Sequence, residues 1–280
     1  MLVSLSQILK AAREGRYAVG AFNCLSLEQA RGAVKAAVEL RSPLILQVAE
    51  VQFPCAPMGL MAPVFLRLAA DASVPVCVHL DHGQSVETCL KAMELGFNSV
   101  MFDGAALPFD ENVSKTREVV KAAKARGIDV EAELGRVGDA GTDDEGRQNA
   151  DIFTDPAQAE AFIAATGADA LAIAIGNLHG KYIATPKLNI DRLREIAGRI
   201  ATPLVLHGGS GTSIEDFKAC VHNGICKINV ATALQLAAAD AVASYCADSP
   251  SYIGIKETIE EATVKAVSWH MDLFESVGKA

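Results

Sequence analysis

The sequence lacks the features that mark secreted and membrane-spanning proteins. Its seven cysteines are odd in number and include no C-x-x-C pair, which indicates free thiols in a reducing compartment. No run of about 18 apolar residues is present to span a membrane. Lys10, Arg13 and Arg16 interrupt the N-terminal segment, so we expect no secretory signal there and predict a cytoplasmic protein.

The charge balance argues against another class of function. The formal net charge is −9 and no run of lysine and arginine occurs, so we expect neither nucleic acid nor a membrane surface as a partner. Half of the 280 residues are hydrophobic, which is ample material for a large core. An α/β barrel of roughly 250 residues forms a single domain. We therefore predict one barrel domain over residues 1–280.

Short apolar segments alternate with longer amphipathic ones, the pattern of an α/β protein built on parallel strands. An open doubly wound sheet would need a glycine-rich turn after the first strand, and the sequence there reads A-F-N-C-L-S. We therefore predict a (β/α)8 TIM barrel with an extra N-terminal helix over Ser4–Glu14 and further helices at the C-terminus. The eight predicted strands are Tyr17–Phe22, Pro43–Val48, Pro75–Leu80, Ser99–Phe102, Asp129–Leu134, Ala170–Ile175, Pro203–Leu206 and Lys227–Val230.

The stretch from Pro75 to Gly83, which reads P-V-C-V-H-L-D-H-G, organises the chemistry of the chain. Its apolar first half is typical of a buried strand, and Asp81 and His82 follow at the strand's end. Ionisable groups in that position are costly to bury without a function. Active sites of parallel barrels lie at the C-terminal ends of the strands. This stretch therefore predicts part of an enzyme's active site.

Other polar residues fall at the C-terminal ends of predicted strands, and so at the same end of the barrel. They are Asp103, Glu133, His179, His207 and Asn229. Three imidazoles, from His82, His179 and His207, converge there from three strands, which is a ligand set for a catalytic Zn²⁺ with an open position. Taken singly, each histidine would be more simply explained as a hydrogen-bonded structural residue.

The remaining histidines receive structural interpretations. His222 and His270 lie on predicted helices, and His79 lies inside the apolar strand, with its side chain pointing away from the immediate neighbours of Asp81. His79 is also a candidate neighbour of a metal ligand. An amidohydrolase would need an H-x-H motif after the first strand, and none is present.

Glycines follow the seventh predicted strand in the motif H-G-G-S-G, and N-V-A-T lies on and after the eighth. Loops after these two strands are a frequent phosphate site in such barrels, because backbone N–H groups and a helix N-terminus face the anion. Gly208, Gly209 and Gly211 permit close approach of the backbone, and Ser210 and Thr232 add hydroxyl donors. A tight turn alone would explain the glycines equally well if no metal site lay beside them.

Six motifs together resemble the class II, zinc-dependent ketose-bisphosphate aldolases. They are H-L-D-H-G, M-F-D-G, E-A-E-L-G, N-L-H-G-K-Y, L-H-G-G-S-G and K-I-N-V-A-T, and the resemblance runs in order from Tyr17 to the terminal S-V-G-K-A. It implies reversible cleavage of a fructose- or tagatose-type ketose bisphosphate into dihydroxyacetone phosphate and an aldehyde. It also implies a homodimer or homotetramer.

The resemblance assigns roles to individual residues. Asp81 becomes the base at the C4 hydroxyl, and His82, His179 and His207 become the Zn²⁺ ligands. Asp103 and Glu133 resemble the family's alternative metal position, and Glu131 lies where it can orient a ligand histidine. The residues implied in binding dihydroxyacetone phosphate, with Na⁺ or K⁺ as a possible helper, are Asn23, Gly180, Gly208, Gly209, Ser210, Asn229, Val230, Ala231 and Thr232.

A second proton transfer implies an acid on the loop after the fifth strand. Relatives read G-G-x-E-D there, whereas this chain reads V-G-D-A-G-T-D-D-E-G-R. Asp143 and Asp144, with Glu145 beside them, are the candidates for this role. A solvated acidic loop without a catalytic role is the alternative.

Three departures from the family pattern concern the aldehyde half of the substrate. Ala105 and Ala106 replace polar side chains after D-G, and A-E-V-Q-F-P-C-A-P replaces a serine- or glycine-bearing loop after the second strand. No arginine occurs after Arg199, where relatives carry one that reaches a neighbouring subunit's phosphate, and Lys256 is the candidate substitute. The same mechanism with a carboxylated or sulfonated aldehyde is therefore an alternative. Two others are a non-catalytic barrel subunit and a cofactor-free isomerase that binds phosphate.

Overall fold

Eight parallel strands form a closed barrel in the computed structural model, which describes residues 1–139, 153–180, 188–209, 211–247 and 250–280. The strands of the described residues are β1 (Val19–Asn23), β2 (Leu44–Ala49), β3 (Val76–Gly83), β4 (Ser99–Phe102), β5 (Asp129–Leu134), β6 (Gly138–Asp139), β7 (Ala170–Ile173), β8 (Leu178–His179), β9 (Leu204–Leu206) and β10 (Ile225–Val230). The order around the barrel is β1-β2-β3-β4-β5-β7-β9-β10, and β10 pairs with β1 to close it. The predicted TIM barrel is confirmed.

Helices surround the barrel, as the predicted alternation requires. They are α1 (Leu5–Gly15), α2 (Leu27–Leu40), α3 (Met58–Asp71), α4 (Val86–Glu94), α5 (Phe109–Lys124), α6 (Pro156–Thr166), α7 (Ile190–Arg199), α8 (Ile214–His222), α9 (Thr232–Tyr245) and α10 (Tyr252–Leu273). The main hydrophobic core lies between these helices and the outer face of the strands. None of the described helices is long and apolar enough to cross a membrane.

Helix α1 closes the N-terminal end of the barrel. Its apolar side chains, among them Leu5, Ile8 and Leu9, pack against inward-pointing side chains at the start of the strands, such as Val19 and Val205. The Ser4 hydroxyl caps the helix by accepting a hydrogen bond from the N–H of Gln7. The cavity that can admit a substrate is therefore left at the opposite, C-terminal end.

Helix α10 packs along α2 and α9 and contacts β1 of the barrel. Val267, Leu273 and the following Phe274 are buried, whereas Trp269 is half exposed. Most of the apolar side of this C-terminal segment therefore covers the barrel.

The structure differs from the prediction in two features near the site. Strand β3 does not end at Leu80 but continues to Gly83, because Asp81 pairs with Ala49 of β2 and Gly83 pairs with Phe102 of β4. In addition, β6 and β8 pair with each other in a small sheet outside the barrel. The sequence predicted a loop at β6, because two residues are too few to show a strand pattern.

A buried ion pair crosses the interior of the barrel, and the sequence analysis missed it. Nζ of Lys227 on β10 lies 2.8 Å from Oε2 of Glu131 on β5, and both side chains are fully buried. Since β5 and β10 are not neighbours in the barrel, this contact runs through its centre. It is a charge contact rather than a directed hydrogen bond. The remaining oxygen of Glu131 accepts from the His207 ring.

We predict that Lys227→Met destabilises the protein by about 3–5 kcal/mol, because the Glu131 carboxylate loses its cation in a place that water does not reach. The measurement is the apparent free energy of unfolding in urea. The exposed Lys35 on α2 gives a matched control, and Lys35→Met is expected to change the same quantity by no more than about 0.5 kcal/mol. Equal losses in the two variants would contradict the importance of the buried pair.

Candidate functional site

The carboxylate of Asp81 is held from two sides at the C-terminal end of the barrel. Nδ2 of Asn23, the last residue of β1, donates to Oδ2 at 2.8 Å, and Nδ2 of Asn229 on β10 donates to Oδ1 at 2.8 Å. Gln47 on β2 donates in turn to the amide oxygen of Asn23 at 2.8 Å. The carboxylate is nearly fully buried. Its orientation is thus fixed by amide groups from two other strands.

His82 has an unusual backbone conformation that redirects its side chain. Its φ is +106°, and the register between β3 and β4 shifts between Leu80 and Gly83. Such a bulge turns a side chain away from simple alternation, and a positive φ on a residue with a Cβ costs of order 1–3 kcal/mol. A Cβ added to Gly83 would lie 2.9 Å from the carbonyl oxygen of Met101, so only glycine allows this close approach.

The His82 ring lies between two carboxylates. Nδ1 is 2.8 Å from Oδ2 of Asp103, and Nε2 is 3.7 Å from Oδ1 of Asp81. These carboxylates raise the pKa of the ring against the opposing effect of burial. The same pairing lowers the pKa of Asp103, although burial alone would raise it.

His207 also lies between two carboxylates, both on β5. Nε2 is 2.8 Å from Oε1 of Glu131, and Nδ1 is 3.3 Å from Oε2 of Glu133. Burial favours the neutral ring, but hydrogen bonds to the two glutamates outweigh it and raise the pKa of His207 to about 10. The expectation that Glu131 is placed to orient a histidine agrees with this contact.

His79 reaches the same network from β3. Its Nδ1 is 2.8 Å from Oγ of Ser99, and its Nε2 is 3.6 Å from Oε2 of Glu131. Burial and the nearby Lys227 charge lower the pKa of His79 to about 3, so its ring is neutral. His79 and Asp81 alternate to the same side of β3, so His79 points into the interior and not away from the Asp81 surroundings as its position had suggested.

The positive charges around Asp81 decide its protonation. Burial alone would raise the pKa of Asp81, but the charges of His82, Lys227 and His207 and the hydrogen bond from Asn23 lower it to about 2. Asp81 is therefore an ionised hydrogen-bond acceptor across the whole neutral range.

The donor atoms of this region fit a metal ion in two overlapping groups. One consists of Asp81, His82 and His207 and the other of His82, Asp103 and Glu133, and in each group the donor atoms lie within 4.8 Å of one another. Imidazole and carboxylate groups are ligands of catalytic zinc. Nε2 of His207 is occupied by its contact with Glu131, so Nδ1 is the ring nitrogen that remains on the side of the cluster to bind a metal. Since a ligating ring must be deprotonated, metal binding here displaces a proton from His207.

Some predicted site residues fall where the structure gives no description. Asp143, Asp144, Glu145 and Ser210 lie outside the described residues. For His179 the structure describes the backbone, on β8, and the side chain lies outside the description.

A cavity of about 420 Å³ opens above these groups. One side is lined by the ends of β9 and β10 and the start of α9, with Gly208, Gly209, Asn229, Ala231 and Thr232. Gly208 has a φ of +68°, which favours glycine. Gly180 lines the same cavity, whereas Val230 is buried in β10.

The other side of the cavity is built from side chains after β2, β3, β4 and β5. The residues that line it are Val51, Gln52, Gln84, Ala105, Ala106, Arg136 and Val137. The alanines that replace polar residues of the family pattern therefore face the cavity. Gln52 and Arg136 were missed by the sequence analysis, which had no pattern to connect them with the site.

Lys256 does not line this cavity. Its ammonium group pairs with the Glu28 carboxylate and lies 5.5 Å from the centre of the Tyr252 ring, in a separate surface hollow between α2 and α10. Within one chain, Lys256 therefore supplies no charge to the cavity.

Known proteins are similar to this chain in sequence and fold over nearly its whole length. Residues 3–279 match the family described as class-II fructose-bisphosphate aldolase. A probable fructose-bisphosphate aldolase of Bacillus subtilis (strain 168) is 40% identical over 275 residues, covering 94% of this chain and 95% of that protein. The fructose-bisphosphate aldolase of Geobacillus stearothermophilus is 40% identical over 287 residues, covering 100% and 99%.

Solved structures give the same result. The crystal structure of the YdjI aldolase from Escherichia coli K12 superposes with a TM-score of 0.91 at 35% identity and covers 100% of both chains. The structure of a putative fructose-1,6-bisphosphate aldolase from Coccidioides immitis has a TM-score of 0.88 at 31% identity, covering 98% of this chain and 97% of that one. With its barrel and its cluster of metal-binding side chains, the chain belongs to the class II fructose-bisphosphate aldolases, a family of metal-dependent lyases.

Proposed function

We propose that this aldolase depends on zinc and reversibly cleaves a ketose bisphosphate of the fructose or tagatose type into dihydroxyacetone phosphate and an aldehyde. One observation carries the proposal furthest. An ionised carboxylate, Asp81, is fixed by two amide donors at the edge of the cavity, and it lies within one of the two groups of candidate metal donors, together with His82 and His207. This is the arrangement that a retro-aldol cleavage needs, because a base and an electrophile must act on neighbouring parts of one substrate.

In the cleavage direction, Asp81 accepts the proton of the C4 hydroxyl. The C4–O bond becomes the carbonyl of the aldehyde as the C3–C4 bond breaks, and the electron pair of that bond passes to the dihydroxyacetone phosphate half. Asn23 and Asn229 each donate to a different oxygen of Asp81, so both oxygens stay oriented and each keeps a lone pair for the substrate. In the condensation direction, Asp81 returns the same proton to the aldehyde oxygen.

The residues that would hold zinc are His82, His179 and His207, and Asp103 and Glu133 form with His82 the second group of donors. When bound, zinc supplies Lewis-acid stabilisation of the negative charge that develops on the substrate's C2 oxygen. Glu131 fixes the His207 ring by accepting a hydrogen bond from the nitrogen that faces away from the cluster. Asp143 or Asp144 is our proposed source of the second proton, which goes to the carbon of the dihydroxyacetone phosphate half.

The phosphate of that half would bind at the ends of β9 and β10. Gly208 and Gly209 bring the backbone close to the cavity, and the N-terminus of the 14-residue helix α9 begins there at Thr232. Backbone N–H groups at a helix N-terminus favour a phosphate. Ser210 and a bound Na⁺ or K⁺ complete the proposed site.

A second candidate keeps this mechanism and changes the aldehyde. Ala105, Ala106 and Val51 line the side of the cavity away from the proposed phosphate site, where they offer no side-chain hydrogen bonds. The lack of donors at these three positions supports an aldehyde half that differs from glyceraldehyde 3-phosphate. Arg136 lines the same side of the cavity and is the cation that suits a carboxylated or sulfonated aldehyde.

The proposal is tested by measuring release of dihydroxyacetone phosphate from a panel of ketose phosphates, with and without EDTA. The panel contains fructose and tagatose bisphosphates, dehydro-deoxyphosphogluconate and a 6-sulfonated ketose phosphate. We expect cleavage of one member, its loss after EDTA treatment, and recovery on adding Zn²⁺, because the C2 oxygen needs the Lewis acid. Release of dihydroxyacetone phosphate that survives complete metal removal would contradict the dependence on zinc. Metal-loaded protein that cleaves no member would favour the non-catalytic barrel.

Replacing the base gives a separate prediction. Asp81→Asn should lower kcat by about 10²–10⁴-fold, because the amide cannot accept the C4 proton, and should leave the bound zinc unchanged. The measurements are steady-state kinetics and zinc content. The exposed Asp71 on α3 provides a control for loss of one charge, and Asp71→Asn should retain wild-type kinetics. Loss of zinc from the Asp81→Asn protein would show instead that Asp81 is a metal ligand.

A further inference from the structure

The side-chain amide of Gln52 has only one possible orientation. One of its two terminal atoms lies 2.9 Å from the backbone N of Ala49 and 3.2 Å from Nδ2 of Asn23. A backbone N–H can only donate, so the atom that faces it is the oxygen, Oε1. The NH2 group is therefore the end that is directed elsewhere.

The turn that carries Gln52 is firmly attached to the barrel. It is a short 3-10 turn, Glu50–Gln52, directly after β2. The Glu50 carboxylate accepts from the backbone N of Gln84 at 2.8 Å and from Oγ1 of Thr88 at 3.0 Å. The backbone N of Ala56 donates to the carbonyl oxygen of Gln52 at 2.8 Å. The position of the Gln52 side chain is thus set before any substrate arrives.

The NH2 group of Gln52 makes no hydrogen bond to the described part of the chain. Gln52 lines the cavity, and both hydrogen bonds to its side chain are made by its oxygen. A donor that is fixed in place and left for the cavity has the properties of a substrate-binding group.

The side chain of Asn23 links Gln52 to Asp81. Nδ2 of Asn23 donates to both Oε1 of Gln52 and Oδ2 of Asp81. Strand β2, which leads into Gln52, is not a neighbour of β9 or β10 in the barrel order, so Gln52 lies apart from the proposed phosphate side. Gln52 is therefore beside the base, on the side where the aldehyde half would lie.

We propose that Gln52 determines specificity by donating a hydrogen bond from its NH2 group to the hydroxyl on the carbon next to the aldehyde carbonyl. This assignment rests on the proposed function. Asp81 acts on the oxygen of the aldehyde carbonyl itself, and the next oxygen along the chain of a sugar-derived aldehyde is this hydroxyl. The turn reads A-E-V-Q-F-P and brings no lysine or arginine, so its neutral donor matches a neutral hydroxyl.

The test compares two acceptor aldehydes that differ only in this hydroxyl, lactaldehyde and propanal. Each is condensed with dihydroxyacetone phosphate by the zinc-loaded protein, with both enantiomers of lactaldehyde assayed. The quantity measured is the ratio of kcat/KM for lactaldehyde to kcat/KM for propanal. We expect the wild-type ratio to exceed one for at least one enantiomer and to fall about tenfold in Gln52→Met, the loss expected for one hydrogen bond. The fall should appear mainly in KM for lactaldehyde.

The matched control is Gln7→Met. Gln7 is exposed on α1, at the opposite end of the barrel from the cavity, and its hydrogen bond to Ser4 comes from its backbone, so this variant removes an amide side chain away from the site. We expect its ratio to equal that of the wild type. Gln52→Leu is a second variant that lacks the amide, and bound zinc and propanal activity verify that each variant is folded.

Three results would overturn the role of Gln52. One is a wild-type protein that uses propanal as well as lactaldehyde. Another is a Gln52→Met protein that loses kcat equally with both aldehydes, because that would mean Gln52 only positions Asn23 and Asp81. A third is an equal fall of the ratio in Gln7→Met. The proposed function fails in a different way. A wild-type protein that condenses neither aldehyde and also cleaves no ketose phosphate would overturn the proposed function as well as the role of Gln52. Failure of the role of Gln52 is therefore distinguishable from failure of the proposed function.

Discussion

The structure depends on compensation of charges that the barrel buries at its centre. Lys227 lies against Glu131, Glu131 holds the His207 ring, and the other side of that ring faces Glu133. Removing Glu131 leaves the Lys227 ammonium group without its carboxylate partner, in a place that water does not reach. The series therefore fixes His207, which lies on β9's C-terminal side, relative to β5 and β10. A site built on it is rigid before any ligand binds.

The same electrostatics prepares the site for a cation. Within the described residues the cluster contains Asp81, Asp103 and Glu133 around two imidazoles, and the carboxylates raise the pKa of both rings against the effect of burial. A divalent ion can take the place of protons on these rings, because it supplies the positive charge that the carboxylates require. The raised pKa of His207 and the lowered pKa of Asp81 thus have the same cause, because the buried carboxylates and the buried cations stabilise one another's charged forms.

Much of this could be predicted from the sequence, for a clear physical reason. Parallel strands end at one face of a barrel, so the polar residues at strand ends had to meet, and Asp81, Asp103, His207 and Asn229 do lie around one cavity or its floor. The exact partners could not be predicted. Asn23 was expected to bind substrate, and in the structure its amide also holds Asp81. A sequence gives the side of a strand on which a residue lies, but register decides which residues of neighbouring strands come next to each other.

Other features were out of reach because they depend on local irregularity. The bulge at His82 changes the direction of its side chain by a shift of register that no alternation rule anticipates. Lys227 could have been noticed, since it alternates with Asn229 to the same side of β10, but a lysine at that position is equally compatible with an exposed strand end. Gln52 follows its strand in a turn, where side-chain direction is set by hydrogen bonds rather than by a repeating pattern.

The two sides of the cavity therefore differ in how they can change. The proposed phosphate side is built largely from backbone at glycines and at a helix N-terminus, and its chemistry persists as long as those glycines and that helix do. The opposite side is built from side chains that follow the strands, at positions such as Val51, Gln52, Ala105 and Ala106. Under the proposed function, a substitution on the backbone-built side affects both the fold and the binding of the dihydroxyacetone phosphate half of the substrate. Under the proposed function, the side-chain-built side contacts the aldehyde half of the substrate, so we expect specificity for the aldehyde to be set there.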